Sequence, residues 1–262
     1  MKIIVCIKQV PATTEVEVDE ATGVLKREGV RTRLNPYDLY ALETALRLRD
    51  LHGGSVASLT MGPLQARSVI AESFMMGVDE GYLVSDLAFA GSDVLATARA
   101  LSQSIKRIGA FDIIICGKQT TDGDTAQVGP EAAELLGIPH QSNVLAVREL
   151  SRSEMILSVD LGDSRTEVSV RLPALITVEK GINTPRLPSY RRKLDTVARE
   201  IPVITLADLA ETAPELYGLR GSPTQVERVF APAPEIVREK WHDTPVALAR
   251  RLTLELSSRK II

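Results

Sequence analysis

The chain has 262 residues, of which 44% are hydrophobic and 25% are charged, and its net charge is −3 at pH 7. These values indicate a globular protein with a sizeable core, and the slight negative charge favours neither nucleic acid nor an anionic membrane as a partner. The first apolar run, residues 3–7, is too short for a signal peptide and no run approaches the ~18 residues of a membrane span, so we expect a soluble, cytoplasmic protein.

Strand-like runs and helical patterns alternate from the N-terminus. Residues 3–7 form a largely β-branched run that is typical of a strand buried on both faces. Residues 15–30 then predict an excursion hairpin. Asn35-Pro36 predicts the start of a helix, with Asn35 as its N-cap, and Gly53-Gly54 predicts its end.

The alternation continues to about residue 180. We predict strands at 56–60, 81–84, 113–116 and 174–178, helices at 64–76, 93–108 and before Gly137, and a hairpin of 155–159 with 167–171. This order predicts an α/β fold with a doubly wound, mostly parallel sheet, in which ligands bind at the carboxyl ends of the strands. Residues 8–11, 61–63 and 117–129 follow strands, so we expect them to face one crevice.

After about residue 181 the alternation of strand-like runs and helical patterns ends, because prolines interrupt it. Regular strand ladders cannot persist there, yet Val203, Ile204 and Phe230 are too apolar to remain in water. We therefore predict two regions: a nucleotide-binding α/β domain over residues 1–182, and a C-terminal arm over residues 183–262 that lies on a partner subunit and ends in a helix at 245–256.

The most informative stretch is FDIIICGKQTTDGDTAQVGPE, residues 111–131, in which a strand leads through a small, polar turn into a helix. Neither G-x-G-x-x-G nor a Walker A loop can be read in it. Backbone N–H groups from Asp124 to Gly129, at a helix N-terminus, predict a pyrophosphate site, and Asp122 or Asp124 is expected to accept hydrogen bonds from ribose hydroxyls. The alternative is a capped helix start with an Asx-turn and no ligand.

No pattern indicates a metal site or a catalytic side chain. Cys6 and Cys116 lie in apolar strands without the spacing of a metal or redox pair, and the three histidines are far apart in the sequence.

Five segments then carry a resemblance: VCIKQVP, LNPYDLYALETALRLRD, LTMGP, ICGKQTTDGDTAQVGPE and LPALITVEKGINTPRLPSYRRK. In this order and spacing they resemble the small (beta) subunit of electron-transfer flavoproteins. The resemblance implies an adenine-nucleotide α-hydrolase-like fold, a heterodimer with a larger alpha subunit that carries an FAD, and a nucleotide held by the present chain.

The resemblance leaves two cofactors open. Simple electron carriers hold a structural AMP. Electron-bifurcating members hold a second FAD, which takes a hydride from NADH and sends its electrons to a low-potential acceptor (ferredoxin or flavodoxin) and, through the alpha-subunit FAD, to a flavin-containing dehydrogenase. KQVP and GDTAQVGPE resemble the bifurcating group, because simple carriers usually show a TGQM-like sequence at residues 128–131. A stand-alone nucleotide-binding regulator of the universal-stress type is the alternative from another class.

The resemblance also implies site residues. The nucleotide contacts would be Cys6, Asn35, Pro36, Tyr37, Asp38, Met61, Asp122, Gly123, Asp124, Thr125, Ala126, Gln127, Val128, Gly129, Pro130, Glu131, Ala132 and Ala133. A simple helix cap is the alternative for Asn35, and core packing is the alternative for Met61. Lys8 and Pro11 would line the NADH side. Since the flavin supplies the redox chemistry, no catalytic side chain is expected.

The partner-docking residues implied by the resemblance follow Asn183-Thr184-Pro185-Arg186. They would be Leu187, Pro188, Tyr190, Arg191 and Arg192. Many relatives carry a leucine where Tyr190 falls and a glutamate where Thr184 falls, so the identity of the partner dehydrogenase stays open.

Overall fold

The computed structural model of the chain describes residues 1–12, 31–196, 198–227 and 238–262. The hairpin expected at residues 15–30 lies outside the described residues. The described residues up to 227 form one α/β unit, and residues 238–262 belong to a separate, small unit.

The bounds of the elements agree closely with the sequence pattern over the first 180 residues. The strands are β1 (Lys2–Cys6), β2 (Gln9–Pro11), β3 (Thr32–Leu34), β4 (Ser55–Met61), β5 (Glu80–Val84), β6 (Ile113–Gly117), β7 (His140–Leu150), β8 (Glu154–Asp160), β9 (Arg165–Arg171), β10 (Ala174–Val178) and β11 (Val203–Ile204). The helices are α1 (Pro36–His52), α2 (Arg67–Met76), α3 (Val94–Ile108), α4 (Val128–Leu136), α5 (Tyr190–Thr196) and, in the small unit, α6 (Pro245–Ser258).

The main sheet is mostly parallel, as expected. Its strand order is β11-β5-β4-β1-β6-β10-β7-β8-β9, and only the pairs β7–β8 and β8–β9 are antiparallel. From β1 the chain proceeds to β4 and β5 on one side, and later to β6 and β10 on the other. The strand order therefore switches direction between β1 and β6, which is the position where doubly wound sheets bind their ligands.

Helices cover both faces of this sheet, which explains the continuous apolar strands. One core cluster joins the sheet to α1 and α2, and the other joins it to α3 and α4. Ile3, Ile4, Val5, Ile114 and Ile115 are fully buried, because β1 and β6 lie at the centre of the sheet with helices above and below. The doubly wound prediction is confirmed.

Besides the short antiparallel pair of β2 and β3, three further elements were not predicted from the sequence. Strand β7 begins with the polar run His140–Asn143 and has register irregularities against both neighbours, so it shows no regular alternation. Strand β11 has two residues and extends the sheet beside β5. Helix α5 is short and exposed. Residues 183–227 belong to the α/β unit. The arm boundary at residue 183 stays a prediction.

No helix in the described ranges is both long and apolar enough to cross a membrane.

Candidate functional site

A cavity of about 1140 Å³ lies at the carboxyl ends of the central parallel strands. Cys6 and Lys8 border it at the end of β1, Met61 at the end of β4, Val84 at the end of β5 and Gly117 at the end of β6. The cavity thus lies at the switch in strand order, where the sequence pattern predicted a crevice.

The turn between β6 and α4, residues 117–128, forms one wall of this cavity and is called the ligand loop below. It holds two non-glycine residues in the left-handed region, Asp124 with φ 53° and Ala126 with φ 56°. The Asp124 N–H donates to Thr120 O (2.9 Å), and the Gln119 side chain donates to the Asp124 carboxylate. Left-handed backbone is unfavourable for residues with a Cβ, so these contacts hold a conformation that the isolated segment would rarely adopt.

The backbone amides that follow are arranged for an anion. Left-handed Ala126 is followed by Gln127 at φ −106° and ψ −27°, and such alternation aims successive N–H groups at one point. The N–H groups of residues 125–129 donate to no acceptor in the described part of the chain. Because α4 begins at Val128, its positive dipole end lies at the same place.

The side chain of Asn35 holds the ligand loop by hydrogen bonds to its backbone. It occupies the N-cap position of α1, but its side chain makes no capping hydrogen bond. Instead its Nδ2 donates to Gln119 O (2.9 Å) and to Asp38 Oδ1 (2.9 Å), and its Oδ1 accepts from Thr121 N (3.3 Å). Asn35 is fully buried and does not border the cavity, so it positions the loop.

Asp38 is a buried carboxylate in the cavity wall. Its side chain accepts from Lys8 N (2.7 Å) and from Asn35, and it lies beside Gly117, where an added Cβ would come within 2.5 Å of its Oδ1. Burial raises the pKa of Asp38 to about 7, although the hydrogen bonds from Asn35 and Lys8 act in the opposite direction.

Lys8 brings a positive charge to the ligand loop from a distant part of the chain. Its Nζ pairs with both carboxylate oxygens of Asp122, at 2.9 and 2.8 Å. Burial alone would raise the pKa of Asp122, but the hydrogen bond and charge of Lys8 outweigh it and lower that pKa. Lys8 precedes Asp122 by 114 residues, so local spacing in the sequence could not indicate this pair.

Glu131 in the first turn of α4 faces a different environment. Burial, and then the charge of Asp93, raise the pKa of Glu131, and its Oε2 has no hydrogen-bond partner among the described residues. Asp93 caps α3 by accepting from Ala96 N (3.0 Å) and borders the cavity.

The structure brings together about half of the residues predicted to contact the nucleotide. Those that border the cavity are Cys6, Asp38, Met61, Gly123, Thr125, Ala126, Gln127, Val128 and Gly129. Those that do not are Asn35, Pro36, Tyr37, Asp122, Asp124, Pro130, Glu131, Ala132 and Ala133. Ala132 and Ala133 are buried against the sheet. Of the two residues expected on the NADH side, Lys8 borders the cavity and Pro11, in β2, does not.

Sequence reasoning missed one wall of the cavity. It runs from Ser85 to Val94, between β5 and α3, and includes the nearly fully exposed Leu87. The rule that selected the other segments would have found it, because it follows the predicted strand at 81–84. This wall is held in place by the C-terminal segment of the unit: Asp86 Oδ2 accepts from Leu206 N (3.1 Å), and Asp93 Oδ2 accepts from Thr224 N (3.0 Å).

The residues predicted to dock a partner lie apart from the cavity, in a docking segment of residues 183–196. Arg186 anchors this segment by pairing with Glu43, which is 3% exposed, at 2.8 Å. Ser189 N donates to Met75 O (2.9 Å) and Arg192 Nη1 to Met76 O (2.6 Å), so the end of α2 also holds it.

Two apolar side chains project from the anchored docking segment. Leu187 is 87% exposed and Tyr190 is 75% exposed. Pro188 and Arg191 are exposed beside them, whereas the Arg192 guanidinium is occupied by the carbonyl of Met76. A fixed backbone that presents exposed apolar side chains is typical of a recognition surface.

Comparison with known proteins gives a consistent result. The family model described as electron transfer flavoprotein domain matches residues 22–209. The chain is 42% identical to the electron transfer flavoprotein subunit beta of Thermoanaerobacterium thermosaccharolyticum, with 100% of both chains covered. It is 40% identical to protein FixA of Azorhizobium caulinodans, covering 99% of this chain and 95% of that one. It is 39% identical to the caffeyl-CoA reductase-Etf complex subunit CarD of Acetobacterium woodii, with both chains fully covered.

Proposed function

Because the chain belongs to the electron transfer flavoprotein family, as a beta subunit, we propose that it binds FAD in the cavity at the strand ends and takes part in electron bifurcation. In this proposal it forms a heterodimer with an alpha subunit that carries a second FAD. NADH is the electron donor, and ferredoxin or flavodoxin and a flavin-containing dehydrogenase are the acceptors. The proposed location is the cytoplasm.

The observation that carries the proposal is the set of N–H groups at residues 125–129, which border the cavity and have no acceptor among the described residues. They lie at the positive end of α4, where a diphosphate would be stabilised without a dedicated ring of cations. Lys8 lies at the same loop, where its charge offsets that of Asp122. These features fit the diphosphate of an adenine dinucleotide.

The size of the cavity favours FAD over AMP. Its volume of about 1140 Å³ lies above the range of about 300–1,000 Å³ usual for small-molecule sites. The ligand loop borders only part of it, and the wall from Ser85 to Val94 continues beyond the loop. A mononucleotide would leave much of this space to water, whereas a dinucleotide with a tricyclic ring would occupy more of it.

The residues of this chain act by binding and positioning. Asn35 fixes the ligand loop, Asp38 lies beside Gly117 at the start of that loop, and the amides of residues 125–129 are oriented for the diphosphate. A bound FAD would supply the electron-transfer chemistry, so the absence of a triad or general base from the predicted site residues needs no further explanation.

One relative supports an assembly with a partner enzyme. It is named as a subunit of a caffeyl-CoA reductase-Etf complex. We propose that the present chain likewise works beside a dehydrogenase and contacts it through Leu187, Pro188, Tyr190 and Arg191. A simple carrier with a structural AMP is the second candidate, since the amides of residues 125–129 would bind an AMP phosphate equally well.

Analysis of the bound cofactors separates the two candidates. The chain is co-expressed with its alpha subunit, the complex is purified without added nucleotide, and released FAD and AMP are quantified. Two FAD per heterodimer, together with bleaching of the flavin absorbance by NADH, is the expected result. One FAD and one AMP, with no response to NADH, would refute the bifurcation proposal and favour the simple carrier.

A further inference from the structure

The two cysteines of the chain, separated by more than one hundred residues in sequence, are neighbours in the sheet. Cys6 and Cys116 are register partners on the adjacent parallel strands β1 and β6. Neighbouring strands lie about 4.8 Å apart and register partners project on the same face, so the two thiols stand side by side. The spacing of the two cysteines in the sequence indicates no thiol pair, because their proximity depends on the strand order.

Both thiols border the cavity. Cys6 is partly exposed and Cys116 is buried, and both are free cysteines. Cys116 Sγ lies beneath the first turn of α4, 3.7 Å from the position that a Cβ on Gly129 would occupy. The hydrogen bond from Cys6, and then burial, raise the pKa of Cys116 well above its ordinary value. Cys116 is therefore held as a protonated thiol beside Cys6 in the wall of the cavity.

A pair of adjacent thiols, one of them buried, favours particular ligands. A neutral, buried thiol reacts slowly with alkylating agents, which need a thiolate. Two adjacent sulfur atoms can nevertheless bind together to one soft, thiophilic atom that forms bonds with two thiols. No group of three or more potential metal ligands occurs among the described residues, so a closed zinc-type site is not available in that part of the chain.

We propose that Cys6 and Cys116 form a dithiol site for thiophilic ligands of the trivalent-arsenic type, and that such a ligand blocks the cavity. With phenylarsine oxide the arsenic–oxygen bond breaks, two arsenic–sulfur bonds form, and the two thiol protons leave with the oxygen as one water molecule. The oxidation state of arsenic does not change, so neither an oxidant nor a reductant is needed.

Intact-mass analysis and thiol counting test the site on the full-length chain. Phenylarsine oxide is added to the nucleotide-free protein at equimolar concentration, and the sample is then challenged with an excess of a monothiol. We expect one arsenical per chain, loss of both titratable thiols and resistance to the monothiol. Cys6→Ser and Cys116→Ala each leave one thiol, so we expect apparent affinity to fall about 100-fold and the monothiol to remove the arsenical.

Two results would overturn the proposal. The first is binding of two arsenicals per wild-type chain, which would mean that the thiols act separately. The second is a single variant that keeps resistance to the monothiol. If Cys116→Ala does not fold, Cys6→Ser alone is compared with the wild type. Cys6 is the more exposed of the two, so its substitution is expected to disturb folding less.

The arsenical site shares the cavity with the proposed nucleotide but does not depend on it. Added AMP or FAD is expected to slow arsenical binding. If the arsenical binds with the expected stoichiometry and neither nucleotide slows it, the dithiol site stands and the proposed nucleotide site fails.

Discussion

At the scale of single residues, the buried carboxylate of Asp38 is expected to make the free energy of unfolding depend on pH. It is 4% exposed and lies in the wall of the cavity, and burial raises its pKa from 3.8 to about 7. The folded chain therefore holds a proton on Asp38 at pH values where the unfolded chain releases it. The contribution of this proton to the free energy of unfolding is complete below pH 3.8 and is lost as the pH rises through about 7.

The substitution Asp38→Asn removes this titration. Since the amide cannot ionise, the variant should lack the decline in stability that Asp38 causes between pH 4 and pH 8, which amounts to about 2–4 kcal/mol. Denaturant unfolding of both proteins across this range measures the difference. Stability curves that run parallel from pH 4 to pH 8 would show that Asp38 ionises normally in the folded chain.

Asn35 was expected to act as the N-cap of α1, but in the structure its side chain holds the ligand loop. A helix cap would affect α1 alone, whereas the observed hydrogen bonds to Gln119 O and Thr121 N affect the ligand loop. Asn35→Ala leaves these two partly buried groups without their partner, at a cost of about 1–3 kcal/mol in stability. Because the loop is then less fixed, we also expect about tenfold weaker nucleotide binding.

Asn183→Ala is the matched control for this substitution. Asn183 Nδ2 donates to Tyr40 O (3.0 Å) and Thr44 Oγ1 (2.8 Å) on α1, away from the cavity. Unfolding experiments and nucleotide titrations of both variants separate the roles: both should lose stability, and only Asn35→Ala should lose affinity. Equal nucleotide affinities would show that Asn35 is a purely structural residue.

Single residues were the hardest to assign from the sequence. The sequence predicted that Asn35, Asp38 and Asp122 belong to one site, and the structure gives each a different position in it. Asp122 binds Lys8, which precedes it by 114 positions, and this pairing could not be read from local spacing. Cys6 and Cys116 show the same effect, since only the strand order makes them neighbours.

At the scale of elements, the start of α4 depends on close packing of a glycine. A Cβ on Gly129 would lie 2.8 Å from Thr177 Cγ2 and 3.4 Å from Leu175 Cδ2, both of which belong to the buried strand β10. The absence of a side chain therefore lets the first turn of α4 approach the sheet. This approach places the amides of residues 125–129 at the edge of the cavity.

Gly129→Ala should move the first turn of α4 outward. We expect a loss of about 1–3 kcal/mol in the free energy of unfolding, because the rigid neighbours on β10 cannot yield without strain. Gly123→Ala in the same loop is the control: its nearest neighbour, Thr120 Oγ1, would be 3.5 Å away, so stability should change by less than about 0.5 kcal/mol. Thermal unfolding measures both, and equal destabilisation would refute the packing role of Gly129.

Elements with strong local signals were predicted well. Asn35-Pro36 and Gly53 bound α1, Asp93 and Gly109 bound α3, and the structure has both helices where these signals place them. Strand β7 was missed because its first residues are polar, and β11 because two residues carry no period. Both are held in the sheet by neighbouring strands, which is a tertiary effect.

At the scale of the whole molecule, the alternation of strands and helices was enough to predict the doubly wound sheet. It was also enough to place the crevice at the carboxyl ends of the strands, since this position follows from the topology. The wall from Ser85 to Val94 shows the limit of such reasoning: its shape depends on hydrogen bonds from residues 206 and 224, which lie in a proline-broken segment without a regular pattern.

The central claim is that main-chain amides of residues 125–129 bind the phosphates of an adenine nucleotide. Hydrogen exchange of the purified chain, measured by mass spectrometry with and without nucleotide, tests it most directly. These amides donate to no acceptor among the described residues, so they should exchange rapidly in the free protein and be protected when FAD or AMP is present. Unchanged exchange at residues 125–129 at a saturating nucleotide concentration would contradict the claim.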